Sequence, residues 1–282
     1  MQRMKLWVLA AILICGASVF TACTGDISDI PVKPVGIAID ETNFPDAAFR
    51  QCLFDYYKFA KDGILTDEEI KNTTTLEVDW EDIKNLKGIE YFTALEELDC
   101  SGNDLTEFDL SMNTKLHYLA CSYNELTMLN ISNNVLLDTV YCEKNKLTEL
   151  DVTKNTALVQ LDFDRNQITS IDLSKNIWLE ELYCAGNGLT KLDVSTIQAL
   201  EMIQCYNNKI SGQNMDNLIG SLPLNDTPTY FDFAVIDYSE GVEMEGNVIT
   251  KSQVEAAKAK GWLPQQWDDD EEDWVEYPGS DN

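Results

Sequence analysis

A leucine returns every 21 residues through the middle of the chain, and this repeat constrains the fold more than any other feature. The series is Leu95, Leu116, Leu137, Leu158, Leu179 and Leu200. Counted from these leucines, six copies follow the pattern L-x-x-L-x-C-x-x-N-x-L-T-x-L-D-L-S-x-N-x-x. A looser copy, with Leu76, Val78, Ile83 and Leu86 in register, precedes them. A fixed period of this length predicts a stack of similar units.

Each unit begins with a pattern typical of a short strand. In L-x-L-x-C alternate side chains point the same way, so one face is apolar. A single unit cannot bury that face alone, whereas stacked units form a parallel sheet over a continuous core. Because 21 residues leave little room for a full helix on the return side, we expect extended or single-turn segments there. Whether a second short ladder of strands forms through L-T-x-L-D-L is left open by the sequence.

The pattern resembles the leucine-rich repeat, and most closely the short repeats of the bacterial surface proteins that include internalins. The resemblance covers residues 73–221. It implies a leucine-rich repeat solenoid, a right-handed β/α superhelix. The parallel sheet would form the concave face, and short extended or 3-10 segments would form the convex face.

Two columns of side chains recur within the repeats. The asparagines at position 9 (Asn103 is the first) are expected to bond main-chain groups of their own and the adjacent repeat. Position 6 holds Cys100, Cys121, Cys142, Cys184 and Cys205, with Phe163 in the fourth copy. Because phenylalanine replaces neither a metal ligand nor a disulfide partner, we expect these thiols to be buried core groups.

Positions 3, 5 and 7 of each repeat are expected on the concave face, opposite the core. No lysine or arginine occupies them in the six copies. Tyrosine buries area and keeps a hydroxyl available, which suits recognition. An ordinary soluble face is the alternative. The candidate ligand-binding residues are Tyr118, Tyr141, Glu143, Asp162, Asp164, Glu181, Tyr183 and Tyr206.

The N-terminal cap is predicted over residues 39–72 and to be helical. Pro45 suits a first helical turn, and Phe49, Leu53 and Tyr56 follow at helical spacing. A solenoid needs such a cap because its first repeat would otherwise expose core.

The second half of this cap resembles a degenerate EF-hand. Gly63 and Glu69 fit loop positions 6 and 12, but Lys58 and Ala60 stand where calcium needs oxygen ligands. Glu69 is explained as well by a capping box with Thr66 that starts a helix. We therefore expect no calcium or other metal here.

The C-terminal cap is predicted over residues 222–266, with one strand in TYFDFAVIDY. A helix follows, begun by a Thr250–Gln253 capping box and ended by Gly261. Residues 267–282 form an acidic tail that we expect to be mobile, because like charges repel. Because the tail contains Trp274 and Tyr277, a short docking segment is the alternative.

Residues 1–22 have the positive start and apolar run of a secretory signal peptide. The residues before Cys23 resemble a bacterial lipobox, although Phe20 stands where leucine is usual. The resemblance implies lipidation at Cys23 and a tether over residues 23–38. An ordinary signal peptide is the alternative. The expected location is the outer membrane of a Gram-negative bacterium, exposed at the cell surface.

Acidic residues outnumber basic ones by 49 to 20, for a formal charge of -29. This excludes nucleic-acid and anionic-lipid surfaces, so contact with a membrane is expected only through the lipid anchor. His117 is the one histidine, and we expect it to be exposed and without a partner. Adjacent carboxylates such as Asp162 and Asp164 are expected by chance in so acidic a chain.

The sequence thus predicts a surface protein that binds or adheres to a protein or glycan through its concave sheet. It predicts neither catalysis nor a cofactor. A structural or scaffolding role in the cell envelope is the alternative, and a surface hydrolase is a more distant one.

Overall fold

The computed structural model of this chain describes residues 36–57, 62–229, 231–237, 245–269 and 272–281. The predicted signal peptide, Cys23 and most of the tether lie outside these ranges, as do Lys58 and Ala60 of the EF-hand-like loop. The helices of the described ranges are all too short or too polar to cross a bilayer.

Ten strands form one sheet in the described part of the chain. Its first seven strands are parallel, three residues long and in register: β3 (Thr75–Glu77), β4 (Glu97–Asp99), β5 (Tyr118–Ala120), β6 (Thr139–Tyr141), β7 (Gln160–Asp162), β8 (Glu181–Tyr183) and β9 (Met202–Gln204). The looser first copy supplies β3, so seven repeats contribute a strand each.

The strands alternate as the repeat predicts. Leu98 and Leu119, at the centre of β4 and β5, face the core and are fully buried, whereas Glu97 and Tyr118 beside them keep part of their surface in solvent. Equivalent residues of neighbouring strands lie directly opposite one another. This architecture is a leucine-rich repeat solenoid, as predicted.

The return segments of the repeats are turns and bends. Within residues 73–210 no second ladder of strands is present, and the one 3-10 helix is Ile89–Tyr91, in the looser first copy. The second ladder left open by the sequence is therefore absent from the described repeats. Fully buried Leu105 and Leu126 hold these segments against the core instead.

The N-terminal cap combines two helices with a hairpin. The strands β1 (Gly36–Ala38) and β2 (Ile64–Thr66) pair antiparallel, so the predicted tether ends in a strand. Helix α1 (Ala47–Asp55) begins at Asp46, whose side chain accepts a hydrogen bond from the Phe49 amide. Pro45 therefore precedes the helix instead of lying in its first turn. Tyr56, predicted on the apolar face, is 60% exposed.

Helix α2 (Asp67–Asn72) begins with the predicted capping box. The Glu69 carboxylate accepts hydrogen bonds from the Thr66 amide at 2.7 Å and from the Thr66 hydroxyl at 2.8 Å. The Thr66 hydroxyl in turn accepts from the Glu69 amide at 3.3 Å. Glu69 thus serves the helix start, which was the alternative to its role as a calcium ligand.

The C-terminal cap begins inside the last 21-residue unit. Helix α3 (Gln213–Ser221) replaces the return turns and therefore lies within the range assigned to repeats. Strand β10 (Phe231–Asp237) then pairs parallel with β9. Helix α4 (Lys251–Lys258) follows with the predicted Thr250–Gln253 capping box, and Gly261 lies shortly after its end with a φ of 83°.

The acidic tail was predicted to be mobile, and this prediction is wrong for its described residues. Strand β11 (Trp262–Asp268) pairs parallel with β10, and β12 (Asp273–Glu276) pairs antiparallel with β11. The tail carries apolar rings as well as charges, and Trp267 lies opposite Trp274 with their centroids 5.7 Å apart. Ring packing and ladder hydrogen bonds outweigh the repulsion between its carboxylates.

Candidate functional site

Three tyrosines form a row on the concave face, which is defined here as the side chains at repeat positions 3, 5 and 7. Tyr118, Tyr141 and Tyr183 project from β5, β6 and β8 and are half-buried. Tyr118 and Tyr141 meet edge to face, with centroids 5.9 Å apart and planes at 75°. The strands thus place three of the predicted binding residues where each keeps a ring surface in solvent.

Two of the tyrosine hydroxyls have partners on the same face. The Tyr141 hydroxyl donates to Gln160 Oε1 at 2.7 Å, and the Tyr183 hydroxyl donates to Glu181 Oε2 at 2.9 Å. Burial, and after it the bond to Glu181, raises the pKa of Tyr183 above its usual range. These bonds fix the ring orientations before any ligand is present, which lowers the entropy lost on binding.

Asp162 and Asp164 lie side by side at the centre of the concave face. The Asp164 carboxylate accepts a hydrogen bond from the Ala185 amide at 2.5 Å, and the Asp162 carboxylate accepts one from the Asp164 amide at 2.9 Å. Burial raises the pKa of Asp162 to about 7. Burial, and then the charge of Asp162, raises the pKa of Asp164 well above its usual range.

The sequence did not separate this pair from the many other neighbouring carboxylates. Asp164 contacts the next repeat through the Ala185 amide, and Ala185 belongs to a cluster with Tyr206 against which Trp274 of the tail packs. Alanine at position 7 of the neighbouring repeat was the one local signal, because a small side chain there lets the Asp164 carboxylate reach the Ala185 main chain.

An acidic pocket lies at the N-terminal end of the concave face, lined by Thr75, Glu77, Glu97, Asp99 and Tyr118. Its volume is about 320 Å³. Burial raises the pKa of the Tyr118 hydroxyl, and the negative charge of Asp99 adds to this effect. Glu77 escaped the sequence analysis because its repeat, the looser first copy, was left out of the alignment of concave positions.

Tyr206 is not part of the open face, contrary to prediction. It is 9% exposed because the Trp274 ring covers it, with centroids 5.1 Å apart. The suggested docking segment in the tail therefore docks within its own chain: Trp274 contacts Tyr206, and Tyr277 is 8% exposed. The sequence could not show this contact because β12 returns to the sheet from some 70 residues away along the chain.

His117 lies between two carboxylates, so the prediction that it lacks a partner is wrong. Its Nε2 is 3.9 Å from Glu97 Oε1, and its Nδ1 is 3.9 Å from Asp138 Oδ2. All three side chains are at least 40% exposed. Such exposed pairs contribute little to stability, and the histidine stays at the edge of the concave face.

A row of exposed side chains with left-handed backbone follows the strands at repeat position 8. Tyr123, Lys144 and Arg165 have φ of 56°, 50° and 53°, and Trp80 has 58° in the first copy. The Lys144 ammonium lies 4.1 Å above the Tyr123 ring and 2.9 Å from its hydroxyl. The sequence analysis missed this row because it considered positions 3, 5 and 7 alone.

The cysteines of position 6 are buried, as predicted. Cys100, Cys121, Cys142, Cys184 and Cys205 have no exposed surface and are free thiols. Burial raises the pKa of all five thiols above their usual range. Thiols held in this neutral form are poor nucleophiles. Phe163 fills the same column and is also fully buried.

The asparagines of position 9 bond the main chain as predicted. Asn145 Nδ2 donates to the carbonyls of Cys121 and Cys142 at 3.0 and 3.1 Å, and its Oδ1 accepts from the Leu126 amide at 3.0 Å. A second, unpredicted column runs through the convex turns. There Asn134 Nδ2 donates to the carbonyls of Leu110 and Asn113, and the equivalent asparagines are likewise fully buried.

Comparison with solved structures identifies similar repeat proteins. The functional domain of InlJ from Listeria monocytogenes, described as including a cysteine ladder, is 30% identical with a TM-score of 0.63, over 81% of this chain and 46% of that one. A leucine-rich repeat protein of Leptospira interrogans is 20% identical with a TM-score of 0.53, over 69% and 50%. Internalin C2 of L. monocytogenes is 19% identical with a TM-score of 0.50, over 65% and 94%.

These neighbours support an internalin-like leucine-rich repeat protein. The two structures at lower identity show the fold alone. This chain spans less than half the length of the InlJ domain. No protein-family model matches the chain. No curated protein sequence matches it either.

Proposed function

We propose that this chain is a cell-surface recognition protein that binds a protein or glycan through its concave face and carries out no catalysis. The observation that carries the proposal is the row formed by Tyr118, Tyr141 and Tyr183. Each ring is half-buried, and the strands and hydrogen bonds around the row hold it in place. Solenoid proteins bind their partners through such rigid, extended surfaces.

Two chemical features support recognition over a merely soluble face. Tyrosines supply large contact area at low entropic cost, and they are enriched among residues that dominate binding energy. Asp162 and Asp164 stay on this face although burial opposes their ionisation. Groups held in an unfavourable state are found preferentially at functional sites.

The remaining candidate residues complete the same surface. Glu143 and Glu181 flank the tyrosine row at positions 7 and 3 of their repeats, and Glu181 holds Tyr183. Tyr206 is left out because Trp274 covers it. The neighbouring structures share the repeat fold that presents this surface. Their names do not identify a ligand for this chain.

Export and anchoring belong to the same proposal. A signal peptide over residues 1–22 and lipidation at Cys23 would place the repeats outside the cell on a short tether. The expected location is the outer membrane surface. Mass spectrometry of the protein purified from its own cells tests this, because an acylated N-terminal Cys23 is heavier than an unmodified one. A mature N-terminus without lipid at Cys23 would contradict it.

The test of recognition compares two triple variants of the full chain. One carries Tyr118→Ala, Tyr141→Ala and Tyr183→Ala, and the control carries Met112→Ala, Met128→Ala and Trp178→Ala. The control residues are 55%, 66% and 62% exposed and lie off the concave face. Host and bacterial surface extracts are passed over each immobilised protein. We expect the wild type and the control to retain the same partner and the tyrosine variant to lose it.

Two other roles give different results in this experiment. A structural spacer of the cell envelope would retain nothing through the tyrosines, so the tyrosine variant would behave like the wild type. A hydrolase would release products from glycan or protein substrates, and this release would depend on Asp162 or Asp164. Asp164 is 7% exposed and its carboxylate accepts a hydrogen bond from the Ala185 amide, so little of its surface is available to a substrate.

A further inference from the structure

The charged side chains of the concave face are all negative. Over β3 to β9 its positions 3, 5 and 7 carry Glu77, Asp79, Glu97, Asp99, Glu143, Asp162, Asp164 and Glu181, without a lysine or arginine. Among the residues that the structure describes, Glu97 is the only member of this set within ion-pair distance of a basic group, His117. The positive charge of Arg165 partly offsets the negative charge of Asp162 and Asp164, but within the described residues none of these carboxylates forms an ion pair with a lysine or arginine.

The same face presents aromatic rings between these carboxylates. A cation over a tyrosine ring is attracted by the ring quadrupole, and a neighbouring carboxylate strengthens its binding. The molecule already contains such a contact, since the Lys144 ammonium lies 4.1 Å above the Tyr123 ring. Tyr118, Tyr141 and Tyr183 lie amid carboxylates, with no cation of the described chain stacked on them.

Two places on the face suit a cationic side chain. The acidic pocket combines three carboxylates with the Tyr118 ring in a volume of about 320 Å³. A guanidinium matches such carboxylates through its planar fork of donors. The second place is Asp162, which is partly exposed beside the buried Asp164, and where a bound cation would favour the ionised carboxylate.

The spacing between these places predicts the form of the ligand. The pocket is centred on β4 and Asp162 lies on β7, three strands away. Neighbouring strands are about 4.8 Å apart, so the separation is roughly 14 Å. An extended chain rises about 3.4 Å per residue, so roughly four residues span that distance. Side chains four residues apart in an extended chain point to the same side.

We propose that the concave face binds an extended cationic polypeptide segment, with one Arg or Lys side chain in the acidic pocket and a second, about four residues along, over Asp162. This inference rests on the proposed function and specifies the partner's chemistry. A neutral glycan would leave the eight carboxylates without a counter-charge from the ligand, and an acidic glycan would be repelled by a chain of net charge -29. That charge also accelerates the approach of a basic segment.

The test uses the full chain in non-ionic detergent, with calorimetry at 0.15 M salt. One probe is the peptide Gly-Arg-Gly-Ser-Gly-Arg-Gly, with its arginines four residues apart. A second has the same composition with its arginines adjacent, and the neutral sugar maltohexaose is the third. We expect the spaced peptide to bind five- to tenfold more tightly than the adjacent one, and the sugar not to bind.

Matched variants show where the peptide binds. Glu97→Gln with Asp162→Asn should weaken the spaced peptide at least tenfold. Glu107→Gln with Glu149→Gln removes the same charge from exposed positions off the concave face and should change affinity less than twofold. Equal loss in both variants, equal binding of the two peptides, or no peptide binding would each overturn the inference.

The proposed function is judged separately by the tyrosine variants. If extract partners are lost on Tyr→Ala substitution while the spaced peptide fails to bind, the recognition surface stands and its partner has another chemistry. Binding of maltohexaose that depends on the tyrosines would identify a glycan. If neither the peptide nor any partner depends on the concave face, the proposed function fails together with the inference.

Discussion

The repeat stack and the C-terminal cap satisfy the same main-chain groups by different means. Inside the stack the Leu189 amide donates to Asn208, 19 residues along the chain. At the end of the stack the Ile210 amide donates to Asn247, 37 residues along. Asn247 Nδ2 also donates to the carbonyls of Cys205 and Val235, as a repeat asparagine would. The cap thus continues the asparagine column without continuing the repeat.

This difference shows what ends a solenoid. The hydrogen bonds of the last repeat are completed by an asparagine brought from an unrelated loop, and the sheet is extended by β10 and the β11–β12 hairpin. In the stack, by contrast, each repeat contacts mainly its neighbours, so stability adds up from repeat and interface contributions. A defect should therefore have a larger effect inside the stack, where each repeat has a neighbour on both sides, than at its end.

The largest expected effect follows from removing an interior asparagine. Asn145→Ala deletes the acceptor of the Leu126 amide and the donor to the Cys121 and Cys142 carbonyls. The buried Leu126 amide left unpaired costs about 1–3 kcal/mol, and the two carbonyls, which keep the side-chain amides of Asn124 and Asn166 as donors, cost about 1 kcal/mol each, so we expect about 4 kcal/mol of lost unfolding free energy. Asn247→Ala should cost about 2 kcal/mol, because the cap can loosen locally.

Urea unfolding followed by circular dichroism measures both variants. Equal losses would contradict the distinction between stack and cap. A further control is Asn133→Ala, because Asn133 is an exposed neighbour of the buried Asn134 and makes a single long bond of 3.4 Å. Its substitution should change stability by less than about 0.5 kcal/mol.

The second prediction tests whether position 6 is a packing column. Phe163→Cys makes the fourth repeat match its neighbours in sequence, but it leaves a cavity where the fully buried ring lay. Removing a large part of a buried ring costs about 2–3 kcal/mol, less than full truncation to alanine. Thermal unfolding with thiol titration in denaturant checks both the stability and the state of the new cysteine. A stabilised variant, or one with a disulfide, would argue against packing as the role of this column.

The repeat stack was largely predictable from the sequence, for a physical reason. Its contacts recur at a fixed separation, so Leu98, Cys100 and Asn103 each report their own environment through the 21-residue pattern. The alternation of inward and outward side chains along each strand was also predictable, and it placed Tyr118, Tyr141 and Tyr183 correctly on the concave face. The capping boxes at Thr66 and Thr250 were predictable because both members lie within four residues.

The site and the cap were less predictable because their determining contacts are long-range. The cover of Tyr206 by Trp274 and the role of Asn247 depend on how the cap folds back, which no local pattern encodes. Asp164 is buried beside Ala185, which belongs to the same cluster as Tyr206. The acidic pocket needed Glu77, whose repeat departs from the consensus, to be placed in register with Asp99.

Trp274→Ala tests the cap side of the comparison with a smaller effect. The Trp274 ring packs on Tyr206 and against Trp267, so its loss should free β12 and cost about 1.5 kcal/mol. Hydrogen exchange should then accelerate in β11 and β12 and stay unchanged in β4 to β7. Trp178→Ala, which removes a ring that is 62% exposed, is the control and should change neither. Faster exchange throughout the sheet would mean that the cap and the stack unfold as one unit.

The smallest effect concerns a group inside the stack that opposes stability. Because burial raises the pKa of Asp162 to about 7, the folded chain binds more protons than the unfolded chain between pH 4 and 7. The free energy of unfolding should therefore fall as pH rises through this window. Asp162→Asn removes the contribution of Asp162 to that dependence and leaves the contribution of Asp164, and its amide oxygen can still accept a hydrogen bond from the Asp164 amide. We expect the variant to be about 1 kcal/mol more stable than the wild type at pH 8 and no more stable at pH 4.

Urea unfolding at the two pH values measures this, with the exposed Glu149→Gln as the matched control. A variant less stable than the wild type at pH 8 would mean that the Asp162 carboxylate holds the stack together, and the case for a group kept for binding would be lost.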